Sequence, residues 1–159
     1  MALHDTLCIL SGGQTGADRA ALDFALRHGI AHGGWCPLGR KAEDGPIRSD
    51  YQLQETTSRR YDQRTRWNVR DSDATLLLTI HPELSGGTGL TAQIADRTNK
   101  PWLHLSQETC SSITEAGQQV QDFLRQHNVK RLNVAGPRAS QEPKIAPFVE
   151  SVLTAALVD

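Results

Sequence analysis

Aromatic side chains are scarce, at 5% of the 159 residues, and cysteine occurs only at Cys8, Cys36 and Cys110. So few flat rings leave little on which the bases of a single-stranded nucleic acid could stack. Three cysteines are an odd set, with no CxxC spacing, so reduced thiols and a cytoplasmic location are expected. No uninterrupted apolar run approaches the ~20 residues of a membrane-crossing helix. The opening MALHDTLCIL lacks the basic segment, long apolar core and small-residue cleavage site of a signal peptide. Neither sign of charge is in excess: 17 Lys and Arg face 18 Asp and Glu, for a net charge of −1. A global attraction to nucleic acid is therefore not implied. What is present, 38% apolar and 22% charged residues, is the composition of a globular chain. One domain spanning 1–159 is expected, large enough to bury about 70% of its unfolded-chain surface.

Apolar runs alternate with helical patterns. TLCIL (6–10) predicts a buried strand, and the next segment predicts a helix from Ala17 to His28. Ala21, Leu22, Ala25 and Leu26 mark its apolar face and Gly29 its stop. A short strand is expected before GGWCPLGR (33–40), and residues 39–70 are polar with weak periodicity. ATLLLTI (74–80), between DSD and HPELSGGTG, is the strongest strand signal. Beyond it the pattern predicts a helix over Leu90 to Arg97, a strand at PWLHL (101–105) and a helix over Glu115 to His127. A strand at RLNVAG (131–136) and a closing helix over Ile145 to Leu157 complete the series. The alternation predicts an α/β, Rossmann-like fold: a parallel sheet of about five strands with helices on both faces.

In such sheets ligands sit beyond the carboxyl ends of the strands, where strand order reverses. Three strands end there in glycine turns: SGGQTGAD (11–18), SGGTGLT (85–91) and AGPR (135–138). Glycine lets backbone amides approach an anion closely, and a helix N-terminus turns its free amides toward one. Thr15, Thr88 and Thr91 add hydroxyl donors. A P-loop needs GxxxxGK[ST], but Gly16 is followed by ADR, so there is no phosphate lysine. Gly12, Gly13 and Gly16 do not fit the GxGxxG of a dinucleotide site either.

The segments SGGQTGADRAALDFAL, GWCPLGRKAEDG, YDQRTRWNVRDSDATLLL, GGTGLT and LNVAGPR, taken together, resemble the molybdenum carrier family. That family is grouped with the circularly permuted YpsA-like members of the SLOG superfamily of Rossmann-like nucleotide-binding proteins. The resemblance runs from Leu10 to about Pro147. It implies binding of a nucleotide or related phosphorylated ligand, with the molybdenum cofactor as a possible cargo. In DNA-processing protein A and YpsA the strand ending in GxR comes first and the strand ending in SGG follows. Here VAGPR stands near the C-terminus and SGGQTGAD near the N-terminus, so moving the last strand and helix to the front restores the usual order. The chain also resembles the cytokinin-activating phosphoribohydrolases at GGTGL (86–90). In those enzymes GGxGT is followed three residues later by glutamate. Leu90 and Gln93 occupy these two positions here, and an amide cannot replace a carboxylate in acid–base work.

Arg59, Arg60, Arg64, Arg66 and Arg70 crowd one stretch. A solvated helix face is one account of them, and a guanidinium closing over an anion is the other. The resemblance puts Arg64, Thr65 and Asn68 in the family motif. Asp18, in a first helical turn, either bonds free amides or reads a ribose or a pterin nitrogen. Arg138 is expected to face the cleft, and Arg40, Glu43 and Asp44 lie on a polar loop that could act as a lid. His28 and His32 are four apart, but Gly29 ends the helix between them and disfavours a metal site. Cys36 is expected to pack against Trp35. No Ser-His-Asp set is identifiable.

The sequence therefore predicts a ligand and phosphate site made of Gly12, Gly13, Gln14, Thr15, Gly16, Asp18, Arg19 and Arg64. Gly86, Gly87, Thr88, Gly89, Thr91, Gly136 and Arg138 complete it. No catalytic or metal-binding residue is assigned. The expected partners are a small phosphorylated ligand, a nucleotide or the molybdenum cofactor, and a second copy of the chain in a homo-oligomer. The alternatives are a nucleotide hydrolase cutting the base–ribose bond and a single-stranded nucleic-acid-binding module; membrane contact is not expected.

Overall fold

In the computed structural model residues 2–158 are described. After a 3-10 turn at Leu3–Thr6 the chain forms β1 (Cys8–Leu10), α1 (Ala17–His28), β2 (Ala31–Gly33), β3 (Trp35–Cys36) and β4 (Gln54–Glu55). It continues through α2 (Tyr61–Asp71), β5 (Ala74–Thr79), α3 (Gly86–Arg97), β6 (Trp102–Ser106), α4 (Ile113–Gln126), β7 (Arg131–Ala135) and α5 (Ile145–Leu157). Five strands pair in parallel in the order β2-β1-β7-β5-β6, and β3 pairs with β4 in a small second sheet. The expected Rossmann-like α/β fold is thus present.

The strand order explains the permutation. If β7 and α5 preceded β1, the five strands would read 3-2-1-4-5, the doubly wound Rossmann order without its sixth strand, whose direction reverses beside its first strand. Here that reversal lies between β7 and β5. A crevice between their carboxyl ends follows from topology alone.

Alternate residues of β5 serve two cores, because successive strand side chains point to opposite faces. Leu76 and Leu78 join α1, α4 and α5 through Phe24, Val120, Phe123, Val149 and Leu153. Leu77 faces the other way, with Ala92 and Ala135, beside the layer of α2 and α3 that buries Val69, Ile94 and Ala95. Full burial of each such Leu, Val or Phe is worth about 1.5–3 kcal/mol.

Several local expectations need correction. The strand expected at 6–10 begins at Cys8, because Leu3–Thr6 takes a 3-10 turn. Leu26 is 41% exposed, and Phe24 is buried on α1 instead. Cys36 packs with Leu22, Ile47 and Tyr51, whereas Trp35 turns away to meet the Trp67 ring edge-on. α4 begins at Ile113, two residues ahead of the expected Glu115; it and α5 bury apolar faces in the chain's own core, with Ile113 exposed. α3 starts at Gly86, four residues ahead of the expected Leu90. Low helix propensity had concealed that glycine-rich first turn.

Candidate functional site

The crevice between β7 and β5 holds a cleft of about 180 Å³. Gln14 and Asp18 enter it from the turn after β1, Gly136 and Arg138 from the turn after β7, and Gly87, Thr88 and Thr91 from α3. α2 closes the remaining side. On this helix Tyr61, Arg64, Thr65 and Asn68 follow the i, i+3, i+4, i+7 spacing of one helical face. Thr65 and Asn68 are buried, while Arg66 and Arg70 on the opposite face, and Arg60 at the N-cap, are exposed. The arginine stretch therefore divides: Arg64 lines the cleft, and Arg59, Arg60, Arg66 and Arg70 form a solvated surface.

Arg64 meets Asp18 at 3.2 Å through Nη1, and the two side chains are only 12% and 3% exposed. Asp18 Oδ2 also accepts a bond from the Gln14 amide at 3.3 Å. Burial pushes the Asp18 carboxyl above its usual range, against the opposing pull of Arg64, the Gln14 amide, Arg138 and Arg19. Gly12 leaves room for this pair, because a Cβ there would come within 2.9 Å of Asp18 Oδ2 and of Arg64 Cζ and would displace the guanidinium.

Three cations surround one ring. Arg138 Cζ lies 4.1 Å, Lys41 Nζ 4.6 Å and Arg64 Cζ 5.9 Å from the Tyr61 centroid. Electron density on the ring face attracts each of them, but they also repel one another. Among the described residues no carboxylate pairs with the Arg138 guanidinium. An anion in the cleft would relieve this accumulation.

α3 points its N-terminus at the same space. Its first-turn amides have no partners within the helix, the Ser85 side chain does not cap them, and its first turn contains no acidic residue. A Cβ built on Gly87 meets nothing within 4 Å, so this backbone is open to an approaching group. The helix dipole and free N–H groups favour an anion at this point.

Other expected site residues hold the surrounding loops rather than line the cleft. Thr15 donates to Glu43 and accepts from the Ala139 amide at 3.2 Å. Arg19 grips Asp44 and donates to the Gly13 carbonyl at 3.1 Å. Gly13 has φ +76° and a Cβ there would strike Leu53 Cδ1 at 2.6 Å; Gly16, at φ +83°, lies against Pro137 and Ala139. Gly86 and Gly89 belong to the first turn of α3 without lining the cleft. Asn68 clasps Trp35, accepting from its amide at 2.8 Å and donating to its carbonyl at 3.0 Å.

The polar loop is built around Arg40, whose guanidinium donates to the carbonyls of Ile47, Arg48, Tyr51 and Leu53. Glu43 ties it to the β7–α5 turn by accepting from the Ser140 amide at 3.3 Å and hydroxyl at 2.6 Å. His28 stacks against Phe24 on α1, while His32 lies on β2 and accepts from the Gln52 amide. Sequence reasoning missed Tyr61, Asp62, Leu90 and Gln141 as cleft residues. The helical spacing from Tyr61 to Arg64 and Asn68 was the signal available for the first.

A family model described as the circularly permutated YpsA SLOG family matches residues 9–157. This chain belongs to that family of Rossmann-like proteins. The crystal structure of a Syntrophus aciditrophicus protein, described as a "Putative molybdenum carrier protein", is similar with a TM-score of 0.92 and 45% sequence identity. The match covers 95% of this chain and 94% of that one. No curated protein matches significantly. Among the described residues no helix is long and apolar enough to cross a membrane.

Proposed function

We propose that the chain is a binding or carrier protein whose cleft holds a phosphorylated organic ligand, either a nucleotide or a molybdopterin-type cofactor. The main support is the convergence of Arg64, Arg138 and Lys41 around Tyr61, opposite the uncapped N-terminus of α3. A phosphate at that point takes guanidinium and backbone N–H donors together. Molybdenum, named for the Syntrophus protein, belongs to this chain only as part of the proposal, as cargo carried on the organic ligand.

A carrier is favoured over a base–ribose hydrolase by the fate of the carboxylates. Glu43 and Asp44 are engaged in loop contacts, Asp18 is paired with Arg64, Asp62 is paired with Arg60, and Gln93 is exposed on α3. Single-stranded nucleic acid is disfavoured because Arg138 stacks over Tyr61, the aromatic ring at the cleft. The proposal includes a homodimer, with the patch of Ile113, Pro147 and Ala155 as the surface to examine. Light scattering that gives a monomer mass across micromolar concentrations defeats that element.

The deciding experiment is native mass spectrometry of freshly purified protein with metal analysis, followed by thermal-shift titration with nucleoside phosphates. A ligand that binds only the folded state raises its melting temperature. Gly87→Val, a substitution with open space around its Cβ, is expected to abolish the shift while preserving the fold. If neither a co-purified ligand nor any millimolar nucleoside phosphate is found to bind, the proposal fails.

A further inference from the structure

Two buried acceptors, on Gln14 and Asp18, stand beside the cationic side chains of the inner cleft. Gln14 is 1% exposed and lines the cleft. Its Nε2 donates to the Lys41 carbonyl at 2.8 Å, which fixes the orientation of the amide. The atom left over is Oε1, and it has no hydrogen-bond partner. An unsatisfied buried acceptor is costly, so this position calls for a donor from elsewhere. The second acceptor is Asp18, whose Oδ2 already serves Arg64 and the Gln14 amide.

A proton-free tetrahedral oxyanion meets only half of these demands. It satisfies the arginines and the helix N-terminus, but it brings further acceptors toward Gln14 and Asp18. A molecule that carries its anion together with hydroxyl groups satisfies both sides. Size agrees with this. The cleft of about 180 Å³ is smaller than the ~300–1,000 Å³ of most small-molecule sites. Thr88 and Gln141 also line a neighbouring chamber of about 340 Å³, bounded by Thr79, His81 and Glu83. The remainder of a larger ligand has room there.

We propose that Gln14 and Asp18 receive hydroxyl donors of a phosphorylated sugar whose phosphate lies at Arg64, Arg138 and the α3 N-terminus. The chain then selects sugar phosphates over bare oxyanions such as molybdate. This rests on the cleft being a phosphate-ligand site and names what that site distinguishes.

The test is calorimetric titration at pH 8, where a phosphate monoester is almost fully ionised because its second pKa is about 6. The probes are ribose 5-phosphate, methyl phosphate and sodium molybdate. Ribose 5-phosphate is expected to bind about tenfold or more tightly than the other two, the scale of a recovered buried hydrogen bond. Gln14→Met is expected to erase this preference, so that within the variant ribose 5-phosphate and methyl phosphate bind within about threefold of one another. Molybdate or methyl phosphate binding as tightly as ribose 5-phosphate overturns the inference while leaving the anion site standing, and so does a preference that survives Gln14→Met. If none of the three probes binds, the cleft assignment falls with it. The wild-type comparison is decisive even where the variant proves unstable.

Discussion

The Thr15 hydroxyl donates to the Glu43 carboxylate, joining the glycine turn after β1 to a loop 28 residues further along the chain. Because Glu43 also accepts from Ser140, one carboxylate fastens three segments around the rim of the cleft. The bonds from Ser140 and then Thr15 hold the Glu43 carboxyl below the usual carboxylate range.

Glu43→Gln is therefore expected to loosen the loop and lower stability at pH 7. Exposed contacts of this kind are screened, so the loss should not exceed about 1 kcal/mol. A depressed folded-state pKa stabilises above the unfolded value and loses that contribution as pH falls through the folded one. Variant and wild type should thus converge in acid. Urea melts at pH 7 and pH 3, with limited proteolysis of the loop, check this; a stability gap that widens in acid contradicts it.

Arg64 and Arg138 are expected to differ as alanine variants. Each should weaken anion binding about tenfold or more, the value of a charge-assisted hydrogen bond. Arg64→Ala should also destabilise the fold by about 3–5 kcal/mol, because it strands Asp18 as a buried charge. Arg138 has no such partner, so Arg138→Ala should leave the melting temperature of the ligand-free protein nearly unchanged. Equal stability losses in the two variants would show that the cleft is organised otherwise.

Asp18 carries the opposite pH signature to Glu43. Burial raises its folded-state pKa, so the native state holds this proton more tightly than the unfolded chain. Its contribution is complete below the unfolded value and declines as pH rises toward the folded one. Asp18→Asn lacks this penalty, and its stability relative to wild type is expected to improve from pH 4 to pH 7. Thermal melts across that window measure the slope, and a relative stability that falls with pH refutes the assignment.

Incubation with AMP and other nucleoside monophosphates is expected to release free base barely detectably or not at all. Leu90 lines the cleft where the related phosphoribohydrolases carry threonine, and Gln93 is exposed. Loss of general acid–base help commonly costs 10²–10⁴-fold. Steady base release on chromatography, lost in Asp18→Asn or Glu43→Gln, would move the chain to the enzymes.

The parts of the fold legible in sequence were those with one dominant signal. Gly29 stops α1 at φ +66° as expected, and the apolar run at 74–79 forms the fully buried interior strand β5. The glycines near the site were harder, because similar spelling conceals different duties. Gly12 and Gly16 make room for neighbouring protein atoms, whereas Gly87 faces open space. Nor does a linear sequence state that the Gln14 amide is oriented by the carbonyl of Lys41, 27 residues away. Local rules find the turns, but tertiary neighbours decide which of them faces a ligand.

The position of β7 has a consequence for how the chain is made. During synthesis the other four strands of the main sheet emerge first, yet β7 is the strand between β1 and β5. Until residues 131–135 leave the ribosome, β1–β2 and β5–β6 are separate ribbons, each with an open edge that invites pairing with other chains. The 130 residues that precede β7 must therefore remain soluble while waiting for the last strand. Folding is closed by long-range pairing, which is slow and exposed to aggregation. A nascent chain stalled before Arg131 should bind chaperones strongly, and completion of α5 should release it.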